Sequence, residues 1–193
     1  FIEKSLYNNK FGYYMKNNPF GKKGDFITAP NISILFSEMI AIWVISFWEN
    51  LNCPKEFNLI ELGAGNGAMM NIMVNTFARF PQFKNSCNIK ILEKSSLLKK
   101  KQKKLIKGQD IKWLNDLNEL NNLPCIFISN EFFDALPIKQ FIKKKNRWHE
   151  RYVKFNNQIK SEYLDIPFDI TELEEQLKFK ISLKQNFIEY SPL

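Results

Sequence analysis

The feature that most constrains the fold of this chain is a glycine-rich loop that follows a short apolar run. Residues 57–62 form the apolar run, and the loop at 63–67 reads GAGNG. A segment with helical character follows at 68–78. Glycines let the backbone turn sharply and approach another group closely, and a loop at the carboxyl end of a parallel strand is where open α/β sheets bind ligands. The pattern predicts a buried strand, a ligand-binding loop and a helix.

The middle of the chain repeats this alternation of apolar runs and helical segments. Further strands are predicted at 88–93, 111–114 and 125–129, the last of them apolar on both faces. A lysine-rich helix is predicted at 95–107, with Gly108 in the C-cap position. Strands that alternate with helices indicate parallel βαβ units and an α/β fold.

The pattern changes after residue 137. Antiparallel strands are predicted at 138–144, 147–155 and 158–164, with turns at 145–146 and 156–157. A charged helix at about 169–179 and a last strand at 187–190 follow. We therefore predict three regions: an N-terminal segment at 1–55, a Rossmann-like core at 56–137, and an antiparallel β and helix insertion at 138–193.

The N-terminal region is predicted to begin as loop through residue 24 and to continue into a helix capped by Asn31 or Ser33. Apolar residues recur in that helix at steps of three and four, which predicts one broad face packed on the core. The residues of this face are Leu35, Phe36, Met39, Ile40, Trp43, Val44, Phe47 and Trp48.

Composition argues against several classes of function. The net charge is +8, but only three of the 28 basic residues are arginine, and phosphate-recognition surfaces usually include arginine, so nucleic acid is an unlikely partner. Three cysteines without a CxxC pair indicate a reducing compartment, and the single histidine argues against a metal site or a Ser-His-Asp triad. The most apolar stretch, 32–48, contains polar residues, so no membrane span is expected.

The spacing of the loop glycines favours S-adenosylmethionine as the ligand. The Gly-Lys-Ser/Thr ending of a phosphate loop is absent, and the glycines are spaced two and two, which differs from the dinucleotide fingerprint. Glu61 precedes Gly63 by two positions, and a carboxylate there can orient the ammonium of the ligand. Gly63, Gly65 and Gly67 are predicted to form the binding loop.

Two further acidic residues follow predicted strands. Glu93 ends the second strand, where an acidic residue accepts hydrogen bonds from ribose hydroxyls. Asp116 lies just past the third strand, where it can meet the adenine edge or simply cap a helix.

The segment after the fourth strand reads SNEFFDALP, from 129 to 137, and is expected beside the reactive methyl group. Glu131 and Asp134 lie three residues apart and share a face if the segment is helical. A pair of carboxylates suits a guanidinium, which stays protonated and offers donors in a fixed fork. A capping or solvated pair is the simpler alternative, and Asn130 is predicted to contact the ligand.

Together these motifs resemble the MidA family of methyltransferases. The matching pieces are GDFITAP, NISILFSE, ELGAGNG, ILEKS, SNEFFDALP, WHERYV and IEYSP, in the order of the family. The resemblance implies a class I S-adenosylmethionine-dependent methyltransferase fold with a parallel central sheet and a protein arginine as the acceptor. In the mitochondrial member the acceptor lies on a core subunit of respiratory complex I and the product is symmetric dimethylarginine.

Carried over by position, the resemblance implies that Gly63, Gly65 and Gly67 form the cofactor loop and that Glu93 binds ribose, while Thr28 borders the site. The substrate-binding role of Glu131 and Asp134 is inferred from their chemistry. There are departures from the family pattern: Ala64, Asn66 and Ala68 replace Pro, Arg and Thr, and Asn31 stands where an acidic residue is common.

Family members continue past IEYSP with further strands of the same sheet, so this chain is expected to be truncated and its sheet incomplete. The expected location is the cytoplasm of a bacterium or the mitochondrial matrix of a eukaryote. Three alternatives stay open: an assembly factor that binds the cofactor without catalysis, a nucleic-acid methyltransferase that uses the lysine-rich helix, and a small-molecule methyltransferase. The acceptor site and the oligomeric state do not follow from these residues.

Overall fold

The computed structural model describes residues 1–17, 19–21, 24–155 and 160–192. It divides the chain into two compact units. The larger unit is Leu6–Asp134, and the smaller unit combines Phe1–Ser5 with Ala135–Leu193.

The larger unit is built on a parallel sheet of four strands. The strands are β1 (Phe57–Leu62), β2 (Cys87–Leu92), β3 (Ile111–Leu114) and β4 (Cys125–Ser129). Their order is β3-β2-β1-β4, and every neighbouring pair is parallel. Parallel neighbours need a crossover connection, which is why helices and strands alternate along this part of the chain. The predicted parallel sheet is confirmed.

Within the described residues, seven helices precede or connect those strands. They are α1 (Ile2–Tyr7), α2 (Tyr13–Lys16), α3 (Ala29–Ile32), α4 (Ile34–Asn50), α5 (Ala68–Phe77), α6 (Pro81–Ser86) and α7 (Ser96–Leu105). The first two are short helices in a region predicted as loop. Gly108 is not the C-cap of α7 as predicted, because the backbone already leaves the helix at Ile106, where it buries that side chain.

The core of the larger unit lies between the sheet and the helices α4 and α5. Phe83 of α6 is the aromatic centre of this core, with its side chain 1% exposed. Its ring centroid lies 4.6 Å from Phe77, 5.4 Å from Phe57 and 5.5 Å from Trp48. Through Phe83, the short helix α6 therefore contacts β1, α4 and α5. The sequence pattern does not reveal this helix.

The broad core-packing face predicted for α4 is only partly correct. The residues that α4 buries are Ser37, Ala41, Val44, Ile45 and Trp48. Leu35, Met39 and Trp43, which were predicted to pack on the core, are more than half exposed. The helix is apolar around most of its circumference, so periodicity alone does not tell which stripe packs on the sheet.

Strand β4 was predicted to be apolar on both faces, and the structure buries only one of these faces. Ile126 and Ile128 are buried, but Phe127 is 47% exposed. The reason is position, because among the described strands β4 pairs with β1 alone and so lies at the edge of the sheet.

The strand order places a topological switch point beside β1. The chain builds β2 and β3 on one side of β1 and then crosses to add β4 on the other side. Open α/β sheets bind ligands at such a point, outside the carboxyl ends of the strands. The loop after β1 and the segment after β4 both begin there.

The smaller unit contains an antiparallel sheet of four strands in the order β7-β6-β5-β8. Its elements are β5 (Lys139–Lys144), β6 (Arg147–Phe155), β7 (Ser161–Pro167), α8 (Ile170–Leu177) and β8 (Phe187–Tyr190). The predicted turn at 145–146 is confirmed, and both residues have positive φ, 46° and 62°, as a two-residue hairpin requires. The predicted turn at 156–157 lies outside the described residues, and β7 runs three residues further than predicted.

One ion-pair cluster ties three strand positions of this sheet together. Asp165 accepts two hydrogen bonds from the Arg151 guanidinium, at 2.9 and 3.3 Å, and pairs with Lys144 at 2.6 Å. Hydrogen bonds from these two cations hold the pKa of the Asp165 carboxyl well below its ordinary value. Arg151 and Asp165 are register partners on β6 and β7, so the pair also fixes the strand alignment.

Within the described ranges, no helix is long and apolar enough to span a membrane.

Replacement of Phe83 with Ala should destabilise the larger unit by about 3 to 5 kcal/mol, because it removes a buried ring and leaves a cavity among three other aromatic side chains. Urea unfolding followed by circular dichroism measures this loss. The matched control is Phe80→Ala, since Phe80 is 38% exposed and should cost less than about 1 kcal/mol. Equal losses for the two variants would contradict the assignment of Phe83 to the core.

Candidate cofactor-binding and active site

Three chain segments leave the sheet side by side at its carboxyl edge. Leu62 of β1 is in register with Leu92 of β2 and with Ser129 of β4. The residues that follow them, Gly63, Glu93 and Asn130, therefore start from neighbouring strands, which lie about 4.8 Å apart in a sheet. This register brings the glycine loop, the predicted ribose-binding residue and the start of the SNEFFDALP segment to one edge.

All three glycines of the loop have a backbone conformation that favours glycine. Their φ angles are +66° at Gly63, +54° at Gly65 and +84° at Gly67, which is the left-handed region where other residues are strained. A side chain at these positions would also meet neighbouring atoms. A Cβ on Gly67 would lie 3.2 Å from the Gln102 side chain of α7.

Aromatic rings of this chain pack against the other two glycines. A Cβ on Gly63 would lie 2.5 Å from the ring of Phe132, and one on Gly65 would lie 3.4 Å from the ring of Phe20. The sequence predicts that the missing side chains make room for a ligand. In the structure they also make room for the ring of Phe132, from the SNEFFDALP segment, and for the ring of Phe20, which lies before the GDFITAP segment.

Glu61, two residues before the loop, is a buried acid. Glu61 is only 3% exposed, and its Oε2 atom has no hydrogen-bond partner among the described residues. Burial, together with the nearby charge of Glu93, raises the pKa of Glu61 to about 8. An unpaired buried carboxylate is costly, so at neutral pH this group is held mainly in its protonated form.

Glu93 is a second buried carboxylate, 8% exposed, and it is hydrogen-bonded on both oxygens. The backbone N–H of Ser95 donates to Oε1 at 2.9 Å, and the Gln102 amide donates to Oε2 at 3.1 Å. Burial raises the pKa of Glu93, while these hydrogen bonds act in the opposite direction. The carboxylate is thus held in one orientation at the end of β2.

These residues fit S-adenosylmethionine. The molecule carries a sulfonium and an ammonium, and a cation next to a buried carboxylate favours its ionised form. Glu61 has an unpartnered buried oxygen close to the loop, and the three positive-φ glycines form a turn that tolerates close approach. The carboxylate oxygens and their negative charge are therefore what a cationic nucleoside requires.

A chain of amide and hydroxyl hydrogen bonds joins Thr28 to the loop. The Asn66 amide donates to Asn31 Oδ1 at 2.8 Å, and the Asn31 amide donates to Thr28 Oγ1 at 2.8 Å. Asn66 Oδ1 also accepts from the backbone N–H of Ala68 at the start of α5. Thr28 is 7% exposed, so the GDFITAP motif is anchored to the glycine loop through this network.

The expected helical face shared by Glu131 and Asp134 is wrong. Glu131 has a φ of +50°, which a helix does not allow, and only a single 3-10 turn at Phe133–Ala135 contains Asp134. The ring of Phe132 packs on Gly63 in this segment, and the backbone turns before it. Both carboxylates are exposed, and the charges of both act on Tyr14.

Two tyrosines lie near these exposed acids and the buried Glu93. The pKa of Tyr14 is raised by burial and by the charges of Asp134 and Glu131. The pKa of Tyr7 is raised to about 12 by burial, by Tyr14, and by the charges of Glu93 and Asp134. The rings of Tyr7 and Tyr14 stack with centroids 5.8 Å apart, and together they lie within the field of all three carboxylates.

Asp116 has a structural role in this chain. Its side chain accepts a hydrogen bond from Asn118 N at 2.8 Å and forms a capping box with Glu119 at the start of the 3-10 turn Leu117–Glu119. These contacts are those of a helix cap, which was the alternative prediction for Asp116. Its contact with the adenine edge stays a prediction, as do the ligand contacts of Asn130.

Sequence reasoning missed Gln102, Tyr14 and Phe132. Gln102 had a detectable signal, since it lies four residues after Leu98 and four before Ile106, on the apolar stripe of a lysine-rich helix. A polar residue in such a stripe is buried and needs hydrogen-bond partners. Tyr14 and Phe132 gave no comparable signal, because their contacts depend on how distant segments fold together.

A cavity of about 640 Å³ lies away from this edge, at the amino ends of β2 and β3. Its lining includes Lys84, Lys90 and Lys112 and none of the predicted site residues.

No cluster of three metal-ligating side chains occurs within the part of the chain that the structure covers.

The fold is a Rossmann-like α/β domain with a glycine loop at the switch point of its parallel sheet. Residues 39–192 match the family model described as "Putative S-adenosyl-L-methionine-dependent methyltransferase". The chain belongs to this family of S-adenosylmethionine-dependent methyltransferases.

Curated relatives carry a more specific name. The chain is 32% identical to the protein named protein arginine methyltransferase NDUFAF7, mitochondrial, of Xenopus laevis, over 79% of this chain and 40% of the relative. The human protein of the same name is 30% identical, over 82% of this chain and 42% of the relative. This chain therefore spans about two fifths of the length of these relatives.

Solved structures show the same fold. A COG1565 superfamily member from Burkholderia thailandensis, solved with bound S-adenosyl-homocysteine, superposes with a TM-score of 0.75 at 24% identity. The match covers 98% of this chain and 50% of that chain. A native structure from the same organism superposes with a TM-score of 0.70. The predicted class of fold is confirmed.

Replacement of Glu61 with Gln should change how stability depends on pH. The folded pKa of Glu61, about 8, lies above its ordinary value of 4.5, so the folded state binds the proton more tightly than the unfolded state. The wild-type protein therefore loses stability as pH rises from about 4.5 to about 8. The Gln variant cannot ionise at this position, so its free energy of unfolding does not fall for this reason.

Urea unfolding at pH 5 and pH 8.5 measures the effect. The stability of the variant relative to wild type should increase by about 2 to 4 kcal/mol between the two pH values, given about 1.4 kcal/mol per pKa unit. A difference that is the same at both pH values would show that Glu61 is not a buried acid with a raised pKa.

Proposed function

We propose that this chain binds S-adenosylmethionine at the glycine loop and contributes to methyl transfer onto an arginine of a protein. The observation that carries the proposal is the buried Glu61 carboxyl beside the loop, with its unpartnered oxygen. Such a group is unfavourable in the free protein and becomes favourable next to a cation. The cofactor is cationic, whereas a neutral nucleoside would not relieve this cost.

Each predicted ligand-contacting residue has a role in this proposal. Glu61 orients the ammonium, and Glu93 accepts hydrogen bonds from the ribose hydroxyls. Gly63, Gly65 and Gly67 admit the ligand close to the backbone. Thr28 supports the loop through the Asn31 and Asn66 amides, and Asn130 and Asp116 border the reactive and adenine ends of the site.

The acceptor side of the proposal rests on charge. The cofactor and an arginine are both cationic, so they repel each other unless acidic groups lie close by. Glu131 and Asp134 are exposed and are near Tyr14, which lets an incoming guanidinium reach both carboxylates. They would bind two of its nitrogens and leave the third free to react.

S-adenosylmethionine, when bound, supplies a methyl group on a positively charged sulfur. The residues of this chain contribute alignment and electrostatics. Glu131 and Asp134 hold the guanidinium and localise its charge on the nitrogens that do not react, and the loop fixes the other reactant. Bringing the two into line accounts for most of the rate in such a transfer.

The identity of the acceptor is part of the proposal. Relatives named protein arginine methyltransferase and mitochondrial support an arginine acceptor and, if the source is eukaryotic, a mitochondrial location. Within the family resemblance, the acceptor is a core subunit of respiratory complex I. These relatives are more than twice as long as this chain, so we assign to this chain the cofactor site and the first acceptor contacts.

The competing function is a binding-only assembly factor that keeps the cofactor site without chemistry. The test uses the 193-residue chain, S-adenosylmethionine with an isotopically labelled methyl group, and an array of arginine-containing peptides. Mass spectrometry of the peptides with the label on arginine supports the proposal. Calorimetric binding of the cofactor without label transfer overturns the catalytic part and supports the binding-only function.

Replacement of Glu131 with Gln should lower methyl transfer at least about 100-fold, because the amide cannot localise charge on the guanidinium and about 3 kcal/mol of electrostatic stabilisation is lost. The dissociation constant for S-adenosyl-homocysteine should stay within about threefold of wild type, since Glu131 contacts the acceptor. Single-turnover assays and calorimetry measure the two quantities.

The matched control is Glu172→Gln, which removes an exposed acid on α8. This variant should leave both transfer and binding unchanged. Near-normal transfer by the Glu131 variant would show that the acceptor role of this residue is incorrect.

A further inference from the structure

Gln102 of α7 is a polar side chain whose amide hydrogen-bonds on both its nitrogen and its oxygen. It is fully buried and lies among lysines on a helix whose other buried residue is Leu98. Its amide nitrogen donates to the Gly65 carbonyl oxygen at 2.9 Å and to Glu93 Oε2 at 3.1 Å. Its amide oxygen accepts from the Trp113 indole N–H at 2.9 Å.

The orientation of this amide is determined by its partners. The Trp113 indole can only donate a hydrogen bond, so the Gln102 oxygen must point toward β3. The nitrogen then points toward two acceptors, the loop carbonyl and the Glu93 carboxylate, and supplies one N–H to each. Removal of the amide would leave three polar atoms without these partners: the Gly65 carbonyl oxygen, Glu93 Oε2 and Trp113 Nε1.

The sequence also makes room for this contact. Gly67 has no Cβ, and one placed there would lie 3.2 Å from Gln102 Cγ and 3.3 Å from its Cα. The third loop glycine thus permits the close approach of α7 that brings the amide to Gly65 and Glu93. This role differs from the ligand clearance expected for the glycines.

We propose that Gln102 is a positioning residue that holds Glu93 in the orientation needed to bind the ribose hydroxyls and fixes the loop at Gly65 in the same contact. The inference rests on the proposed function, since it assigns Gln102 to the same cofactor site. Gln102 touches only protein groups. It acts through Glu93 and the loop, so its loss should affect one part of the ligand more than the others.

The proposal separates Gln102 from a residue that only stabilises the fold. A fold-stabilising residue would weaken all ligands by the same factor or none of them. A residue that orients Glu93 would weaken ligands that carry ribose hydroxyls and spare a ligand that lacks them. A pair of ligands therefore distinguishes the two roles.

The experiment measures calorimetric affinities of S-adenosyl-homocysteine and of its 2′,3′-dideoxyribose analogue for three forms of the full chain. They are wild type, Gln102→Met, which keeps the side-chain length without the amide, and the control Gln109→Met. Gln109 is half-buried and donates only to the Cys87 carbonyl oxygen among the contacts described, at 3.4 Å, so the same chemical change is made away from the loop.

We expect Gln102→Met to weaken S-adenosyl-homocysteine about tenfold, as for the loss of one hydrogen bond to a charged group, and the dideoxy analogue less than about threefold. Wild type and Gln109→Met should both discriminate between the two ligands by about tenfold or more. Equal loss for the two ligands, or discrimination by Gln102→Met equal to that of wild type, overturns the positioning role.

A second variant keeps the proposal testable if Gln102→Met does not fold. Trp113→Phe removes the donor that orients the amide and leaves Gln102 in place, so it should lose discrimination in the same direction, by a smaller factor. Undiminished discrimination by Trp113→Phe would also contradict the proposal. Failure of wild type to bind S-adenosyl-homocysteine would instead contradict the proposed function itself.

Discussion

The site depends on the burial of two carboxylates at the carboxyl edge of a parallel sheet. Glu61 is the last residue but one of β1 and is in register with Ile91, and Glu93 directly follows β2 two positions further along; both acids are buried. Burial, and after it the charge of Glu93, raises the pKa of Glu61. The Ser95 backbone N–H and the Gln102 amide donate to the two oxygens of Glu93, whereas Glu61 Oε2 has no hydrogen-bond partner among the described residues.

Local patterns predicted the parallel sheet well because each strand is a short apolar run between a turn signal and a helix. The bounds of β1, β3, β4 and β8 match the structure, since turn residues mark both ends. The site was partly predictable for the same reason, because positions after strands converge at one edge. The loop glycines and Glu93 followed from this rule without any knowledge of the contacts between them.

What could not be predicted depends on contacts between segments distant in the chain. The sheet determines which of the apolar stripes of α4 is buried. The backbone turn at Glu131 accompanies the packing of Phe132 on Gly63. The departures from the family pattern at positions 31 and 66 are informative here. The family resemblance puts an acidic residue and Arg at these positions, and in this chain the two Asn side chains hydrogen-bond to each other, so both departures occur in one contact.

The most direct test of the account is a calorimetric titration of S-adenosylmethionine at pH 7 in two buffers of different ionisation enthalpy. If the cofactor binds beside the protonated Glu61 carboxyl, its positive charge lowers the pKa of that group, and the protein releases close to one proton on binding. The Glu61→Gln variant should bind more weakly and release no proton from this site. Binding by wild type without proton release, or with the same release as the variant, would contradict the assignment of the buried carboxylates to the cofactor.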